Sequence, residues 1–433
     1  MKLPNIFCAL AGALCLSSTW AAPEGSTALP DYAKETLGGD WGGARTRLAQ
    51  QGAQWELGYK FDVLRNATGG MQSGTRVMDN FDAKLRLDAD KLWGWNATTL
   101  YLQLISNHGG KLNQHQVGSV MGVDNLEVGT NTTRFFQAWI QRQFFDDRLS
   151  LLVGLYPIDS EFYVTETSGL FLHPSLGMSA EIAGTASGQR APSIFNNSAA
   201  GLRLKLQPHP AWSAQVAVVD GGPGDAHNPR GTHIQFNKGD GVMAIAELAL
   251  KPDHLRVHSA AAAAPAEALP ERSSKLALGT WRYNPRFDDL SAVDGRGLPL
   301  RRRNQGAYVL AEQCVYTDAE GRDLSLFVRH GNASPDVNRL SASTSIGMRF
   351  KGLLPGRSED VFGLASTRAR NSDKFRQLAA PQAAAETMWE LTYRLSLTPW
   401  MALQPVVQRI LAPGTDPALG NAWIVGARLE LSL

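Results

Sequence analysis

The sequence predicts an all-β fold, a closed antiparallel β-barrel of the outer-membrane type with about 16 strands. Three observations predict it. Runs of about ten residues alternate apolar and polar side chains, an export leader precedes them, and short connections alternate with long ones. No segment after the leader holds the roughly 18 to 20 consecutive apolar residues that a membrane helix needs. A helical membrane protein is therefore excluded.

Residues 1–21 read as a signal peptide. Lys2 precedes the apolar run "IFCALAGALCL", and small Thr19 and Ala21 sit three and one residues before a cut ahead of Ala22. Removing this leader takes away Cys8 and Cys15. Cys314 then remains alone, so the exported chain has no internal disulfide. The formal net charge of +2 gives no reason to expect a nucleic-acid partner.

Residues 22–52 form an N-terminal segment expected at the periplasmic rim or in the lumen. In "GGDWGGARTRLAQQG" the glycines permit a tight path beside Trp41, and Ala44, Leu48 and Gln51 have helical spacing until Gly52 ends it. The barrel domain spans residues 53–433.

Its first strand places Trp55, Leu57, Tyr59, Phe61 and Val63 on one face and Glu56, Gly58, Lys60 and Asp62 on the other. In the second, Phe81, Ala83, Leu85 and Leu87 oppose Asp82, Lys84, Arg86 and Asp88. The same alternation recurs in "AAGLRLKLQP", "TMWELTYRLSL" and "AWIVGARLELSL". Eleven weaker runs complete the count: "TTLYLQLIS", "FFQAWIQRQ", "LSLLVGLY", "WSAQVAVVD", "VMAIAELAL", "KLALGTWRY", "GAYVLAEQC", "LSLFVRHG", "SASTSIGMRF", "VFGLASTRA" and "ALQPVVQRIL". An even number suits a closed barrel, which removes exposed edges. Pro405 is a local misfit, because it removes one ladder hydrogen bond.

"KLWGWN", "FFDDR", "QPHPA", "TDAEGRD" and "LTPWM" are short connections. Residues 106–133, 159–198, 220–240, 284–304 and 369–385 read as long loops on the opposite side. The Ala-rich stretch 258–274 breaks the pattern, since strand parity puts it among the short turns.

"GDWGGARTRLAQQG", "GLYPIDSEF" to "GLFLHPSLG", "KGLLPGRSEDVFGL" and the closing "ETMWELTYRLSLTPWMALQPVVQRILAPG" together resemble the carbohydrate-selective porins of the OprB-like family. The resemblance runs in order along nearly the whole exported chain. It implies a sixteen-stranded barrel in the outer membrane of a Gram-negative bacterium that passes glucose and related sugars by facilitated diffusion. It also places residues 159–198 as a loop that folds inward and narrows the pore.

With the polar faces taken as inward, the lumen carries Lys60, Lys84, Arg86, Arg203, Lys205, Arg329, Arg349, Arg394 and Arg428. It also carries Glu56, Asp62, Asp82, Asp88, Glu247, Glu312, Glu386, Glu390 and Glu430. The signs nearly cancel, which suits a neutral polyhydroxylated solute better than a focused ion. Gln103, Gln137, Gln141, Gln215, Gln404 and Gln408 extend the donor and acceptor track. Aromatic rings would meet a sugar's C–H faces, and Trp139 and Trp281 fall on inward faces. The candidate constriction residues are Lys84, Arg86, Phe162, Phe171, Glu181, Arg203, Glu247 and Trp281. Arg86 leads, as a forked donor to sugar hydroxyls opposite Phe162 or Phe171.

No enzyme is expected. The nine histidines are scattered, and neither G-x-S-x-G nor H-E-x-x-H occurs. No cofactor or metal is expected either, since the His108/His115 and His227/His233 spacings arise readily by chance. The expected partners are sugars, outer-membrane lipid and lipopolysaccharide; the "RRRN" cluster at Arg301–Asn304 reads either as a lipopolysaccharide-facing or as a solvated loop cluster, and the channel is a monomer or a homotrimer. Two other readings stay open: an exported β-rich binding or adhesion protein without a conducting lumen, and a porin for a small organic anion.

Overall fold

The computed structural model describes residues 29–188, 190–252, 274–378 and 382–433. Over these residues the alternating runs become strands β1 (Ala53–Gly70), β2 (Gly74–Asp88), β3 (Thr98–Gly109), β4 (Thr132–Phe144), β5 (Leu149–Tyr156), β6 (Ala199–His209), β7 (Trp212–Asp220) and β8 (Val242–Leu250). The second half contributes β9 (Ser274–Val293), β10 (Pro299–Thr317), β11 (Asp323–Ala333), β12 (Leu340–Lys351), β13 (Val361–Asn371), β14 (Ala385–Thr398), β15 (Met401–Leu411) and β16 (Gly420–Ser432). Each strand pairs antiparallel with its sequence neighbours, and β16 returns to β1, so the barrel is closed.

Alternation decides which way each side chain points. On β6, Leu202, Leu204 and Leu206 are exposed on the outer wall while Arg203 between them is buried. Val216, Leu248, Leu276, Leu278 and Ile346 continue the outer apolar surface. That arrangement is the reverse of a soluble sandwich and fits strands solvated by lipid. Pro405 sits within β15 opposite Ala427, and its exposed ring faces outward.

Long connections mark the extracellular end of such a barrel and short ones the periplasmic end. Long loops link β3 to β4, β5 to β6, β7 to β8 and β13 to β14. The expected loop over 284–304 is not one. Those residues extend β9 and β10 into a long hairpin with a short turn at residues 294–298, in which inward Trp281, Tyr283 and Phe287 stack edge to face. Pro285 and Pro299 and the charge of "RRRN" disguise this strand pair in the sequence. The expected leader lies outside the described residues, as does the Ala-rich stretch except for Ser274, the first residue of β9.

At the periplasmic rim, two short helices, α1 (Tyr32–Glu35) and α2 (Ala44–Gln50), pack beside the seam between β1 and β16. Arg45 of α2 is buried and donates to Thr36 Oγ1, Trp55 O and Leu433 O. Its guanidinium also lies over the rings of Tyr32 and Trp41. Leu37 N–H donates to Ser432 O, which ties the segment to the last strand.

Candidate functional site

Two long loops turn into the barrel instead of standing above it. The connection between β5 and β6, described at residues 157–188 and 190–198, crosses the lumen, and the connection between β3 and β4, residues 110–131, meets it there. Asn125 N–H donates to Leu172 O at 2.8 Å, and Ser175 Oγ donates to Met121 O at 3.2 Å.

Backbone amides in an apolar interior need acceptors, and inward carboxylates of the wall supply them. Glu247 on β8 accepts from Tyr163 N, and Glu312 on β10 accepts from Glu166 N and Thr167 N. On β14, Glu390 accepts from Leu172 N and His173 N, and Glu386 accepts from Val120 N and Met121 N. Donors from the wall serve the loop carbonyls in the same way. Arg329 on β11 donates to Gly177 O and Ser175 O, and Gln404 on β15 donates to Leu170 O. At the seam, Arg428 of β16 grips Asp62 of β1 through two hydrogen bonds and also Asn125 of the loop.

The wall is also cut back to admit the loops. A Cβ at Gly331 would lie 2.0 Å from Glu181 Oε1, and one at Gly363 would lie 2.5 Å from Leu170. Tyr163 adopts a left-handed φ of 66° where its N–H meets Glu247.

This packing covers the wall from β6 to β15 and leaves a cavity against β1 to β4. The cavity is lined by Lys60, Asn80, Asp82 and Lys84 from the first two strands and by Tyr101, Gln103 and Gln137 from the next two. Asp159, Ser160, Thr165, Ser168 and Phe195 face them from the loop. The wall side chains form a continuous ladder. Trp139 Nε1 donates to Gln137 at 3.0 Å, Gln137 to Gln103 at 2.6 Å, and Gln103 to Asp82 at 3.0 Å. Lys84 lies between Glu56 and Asp82, at 3.6 and 3.7 Å. Beside the ladder, Tyr101 stacks on Trp139 with ring centroids 5.0 Å apart.

Of the eight candidate residues, Lys84 lines this cavity. Arg86 lies two residues further along the same face of β2, exposed and nearer the periplasmic mouth. The other six are buried. Phe162 and Phe171 are each 0% exposed, in separate apolar clusters that anchor the loop, so neither ring faces Arg86 across the lumen. Glu181 accepts from the Tyr163 hydroxyl, and burial pushes its carboxyl up in pKa. Arg203 is locked to Glu161 and Gln141, Glu247 holds Lys275 and Tyr308 as well as the loop, and Trp281 is enclosed. Strand parity identifies an inward side chain, but a loop from elsewhere in the chain decides whether that side chain meets solvent. The loop meets β6 through the Arg203–Glu161 pair, yet faces β2 across open space. Tyr101 and Asn80 escaped the sequence reading. The period-2 position of Tyr101 in "TTLYLQLIS", in phase with Gln103, was a signal that could have found it.

A model of the carbohydrate-selective porin, OprB family, matches residues 72–433. The chain belongs to the OprB family of carbohydrate-selective porins. Porin B of Pseudomonas aeruginosa is 26% identical over 456 residues, covering 97% of this chain and 95% of that relative. A putative porin, QuiX, of Acinetobacter baylyi is 21% identical over 92% of this chain and 93% of its own length. The high-pH structure of Pseudomonas putida OprB superposes with a TM-score of 0.79 at 22% identity, covering 93% of this chain and 99% of that one. This OprB-family barrel is thus an outer-membrane sugar porin and a channel, not an enzyme.

Proposed function

We propose that sugars cross this porin along the inner faces of β1 to β4, between that wall and the inward loop. The observation that carries the reading is the ladder Trp139–Gln137–Gln103–Asp82 running beside the Tyr101–Trp139 stack. Amide and carboxylate groups exchange hydrogen bonds with hydroxyls, and the stacked rings support the C–H face of a pyranose. Lys84 is the donor within the passage, and Arg86 meets the solute at the periplasmic mouth. Phe162, Phe171, Glu181, Arg203, Glu247 and Trp281 shape the passage by holding the loop. The cations of the lining are offset by carboxylates, with Lys84 between Glu56 and Asp82, which favours a neutral solute over an organic anion.

One chain encloses the whole passage in this reading, so a single barrel is the conducting unit whether or not chains associate as trimers. The partners are sugars inside and, outside, lipid and the phosphorylated glycolipid of the outer leaflet. The test is glucose block of ion current through the reconstituted channel. Trp139→Ala is expected to weaken the block several-fold, by about 1 kcal/mol of ring contact, and Lys84→Ala to weaken it while ion current rises. Unchanged block in both variants would move the sugar path away from this wall.

A further inference from the structure

The long β9–β10 hairpin carries a feature that sugar passage does not use. Its outward positions change character along the strand. Leu276 and Leu278 are exposed on the lipid-facing wall, and Thr280, Arg282, Asn284 and Arg286 follow at alternate positions on the same face. On β10 the outward row runs from Val309 through Ala307 and Gln305 to Arg303. Arg282 thus stands four residues beyond the last outward leucine of its strand, at the extracellular edge of the apolar band.

Pairing sets Arg303 directly opposite Arg286, and Arg282 opposite Gln305. Like charges across a strand pair repel, so this arrangement is unfavourable unless an anion joins it. Neighbouring charges do not supply one. Arg301 is taken by Asp288 at 2.8 Å and Arg302 by Asp289 at 3.0 Å. Arg286 donates to the Arg301 carbonyl. Among the described residues, Arg282, Arg286 and Arg303 meet no carboxylate. The extracellular outward positions of β6 and β8, namely Ala200, Leu202, Val242 and Ala244, carry no charge. Arg65, Arg368, Arg370 and Arg409 also stand outward near the extracellular ends of β1, β13 and β15, but the hairpin sets two of its arginines directly opposite each other.

We propose that Arg282, Arg286 and Arg303 bind the phosphorylated headgroup of the outer-leaflet glycolipid. Guanidinium forks grip phosphate through paired N–H donors. The leucines below them offer the acyl chains a surface continuous with the same site, which a free phosphate cannot use. The proposal rests on the outer-membrane placement and not on the sugar path.

The test uses the full folded chain in detergent and bisphosphorylated lipid A as the probe, with binding followed by native mass spectrometry. The triple variant R282Q/R286Q/R303Q is expected to bind at least about tenfold more weakly, while R142Q, at an outward position near the periplasmic end, binds like the parent. Lipid A stripped of its phosphates is expected to bind parent and triple variant equally and weakly. Glucose block, measured on the same samples, is expected to stay at the parental level in the triple variant, which separates loss of the glycolipid site from failure of the sugar reading. Equal binding of bisphosphorylated lipid A by parent and triple variant would overturn the proposal. So would full displacement of lipid A by millimolar inorganic phosphate, or joint loss of lipid binding and glucose block.

Discussion

Asp159 lies in the loop between β5 and β6, outside the spanning strands, and lines the cavity proposed as the sugar passage. Its carboxyl is pushed up to about 7, because burial outweighs the Phe195 N–H that it accepts. The passage therefore gains a negative charge as pH rises through neutrality. Reversal potentials are expected to shift toward cation selectivity between pH 6 and pH 8 in the parent and to stay constant in Asp159→Asn. The same group has a stability consequence of definite sign. A carboxyl whose folded pKa is raised binds its proton more tightly in the folded state. Its contribution is full below the ordinary 3.8 and is lost as pH rises through about 7. At this scale the sequence was least informative. Lys84, Asp82 and Gln103 were recognisable from their phase on a strand, whereas Asp159 depends on a loop path that no period encodes.

The inward loop is an element held from outside itself. It has only short helical turns of its own, such as Thr167–Leu170, and its amides are served by carboxylates more than a hundred residues away. Replacing Glu312 and Glu390 together by glutamine removes one carboxylate oxygen from each pair of amides. Each buried N–H left unpaired costs about 1 to 3 kcal/mol. The double variant is expected to show larger and noisier ion currents with weaker glucose block, because the loop no longer stays against the far wall. Currents identical to the parent would mean that apolar packing around Phe162 and Phe171 suffices. Gln404 carries the same lesson. Read as a lumen residue from its alternation, it is instead buried beneath the loop and donates to Leu170 O and Thr392 Oγ1.

For the whole molecule, the alternating runs foretold each of the sixteen strands and, in the five strongest, the direction of the faces, because lipid on one side and polar groups on the other impose period 2. The β9–β10 extension was hidden, since its outer face is charged above the membrane and breaks the apolar pattern. Orientation remains testable by charge placement. Leu204→Arg, in the middle of β6 on the outer wall, is expected to cost about 2 to 4 kcal/mol in unfolding titrations in bilayers. Thr99→Arg, on the open inner face of β3, is expected to be mild. Gln404 cannot serve as the mild control, because an arginine there would displace the loop. Equal costs at Leu204 and Thr99 would reverse the assigned faces.

The seam at the periplasmic rim implies an order of assembly. Arg45 draws on acceptors from Thr36, Trp55 and Leu433, and the last of these arrives only when β16 has docked on β1. Those strands bring together opposite ends of the barrel sequence, so their pairing closes the longest loop in the molecule. Until then Arg45 lacks its Leu433 acceptor and the Leu37 N–H has no Ser432 carbonyl to meet. The amino-terminal segment thus acts as a clasp that fastens after the circle is complete, and an unfinished sheet keeps its free edge open to the next hairpin.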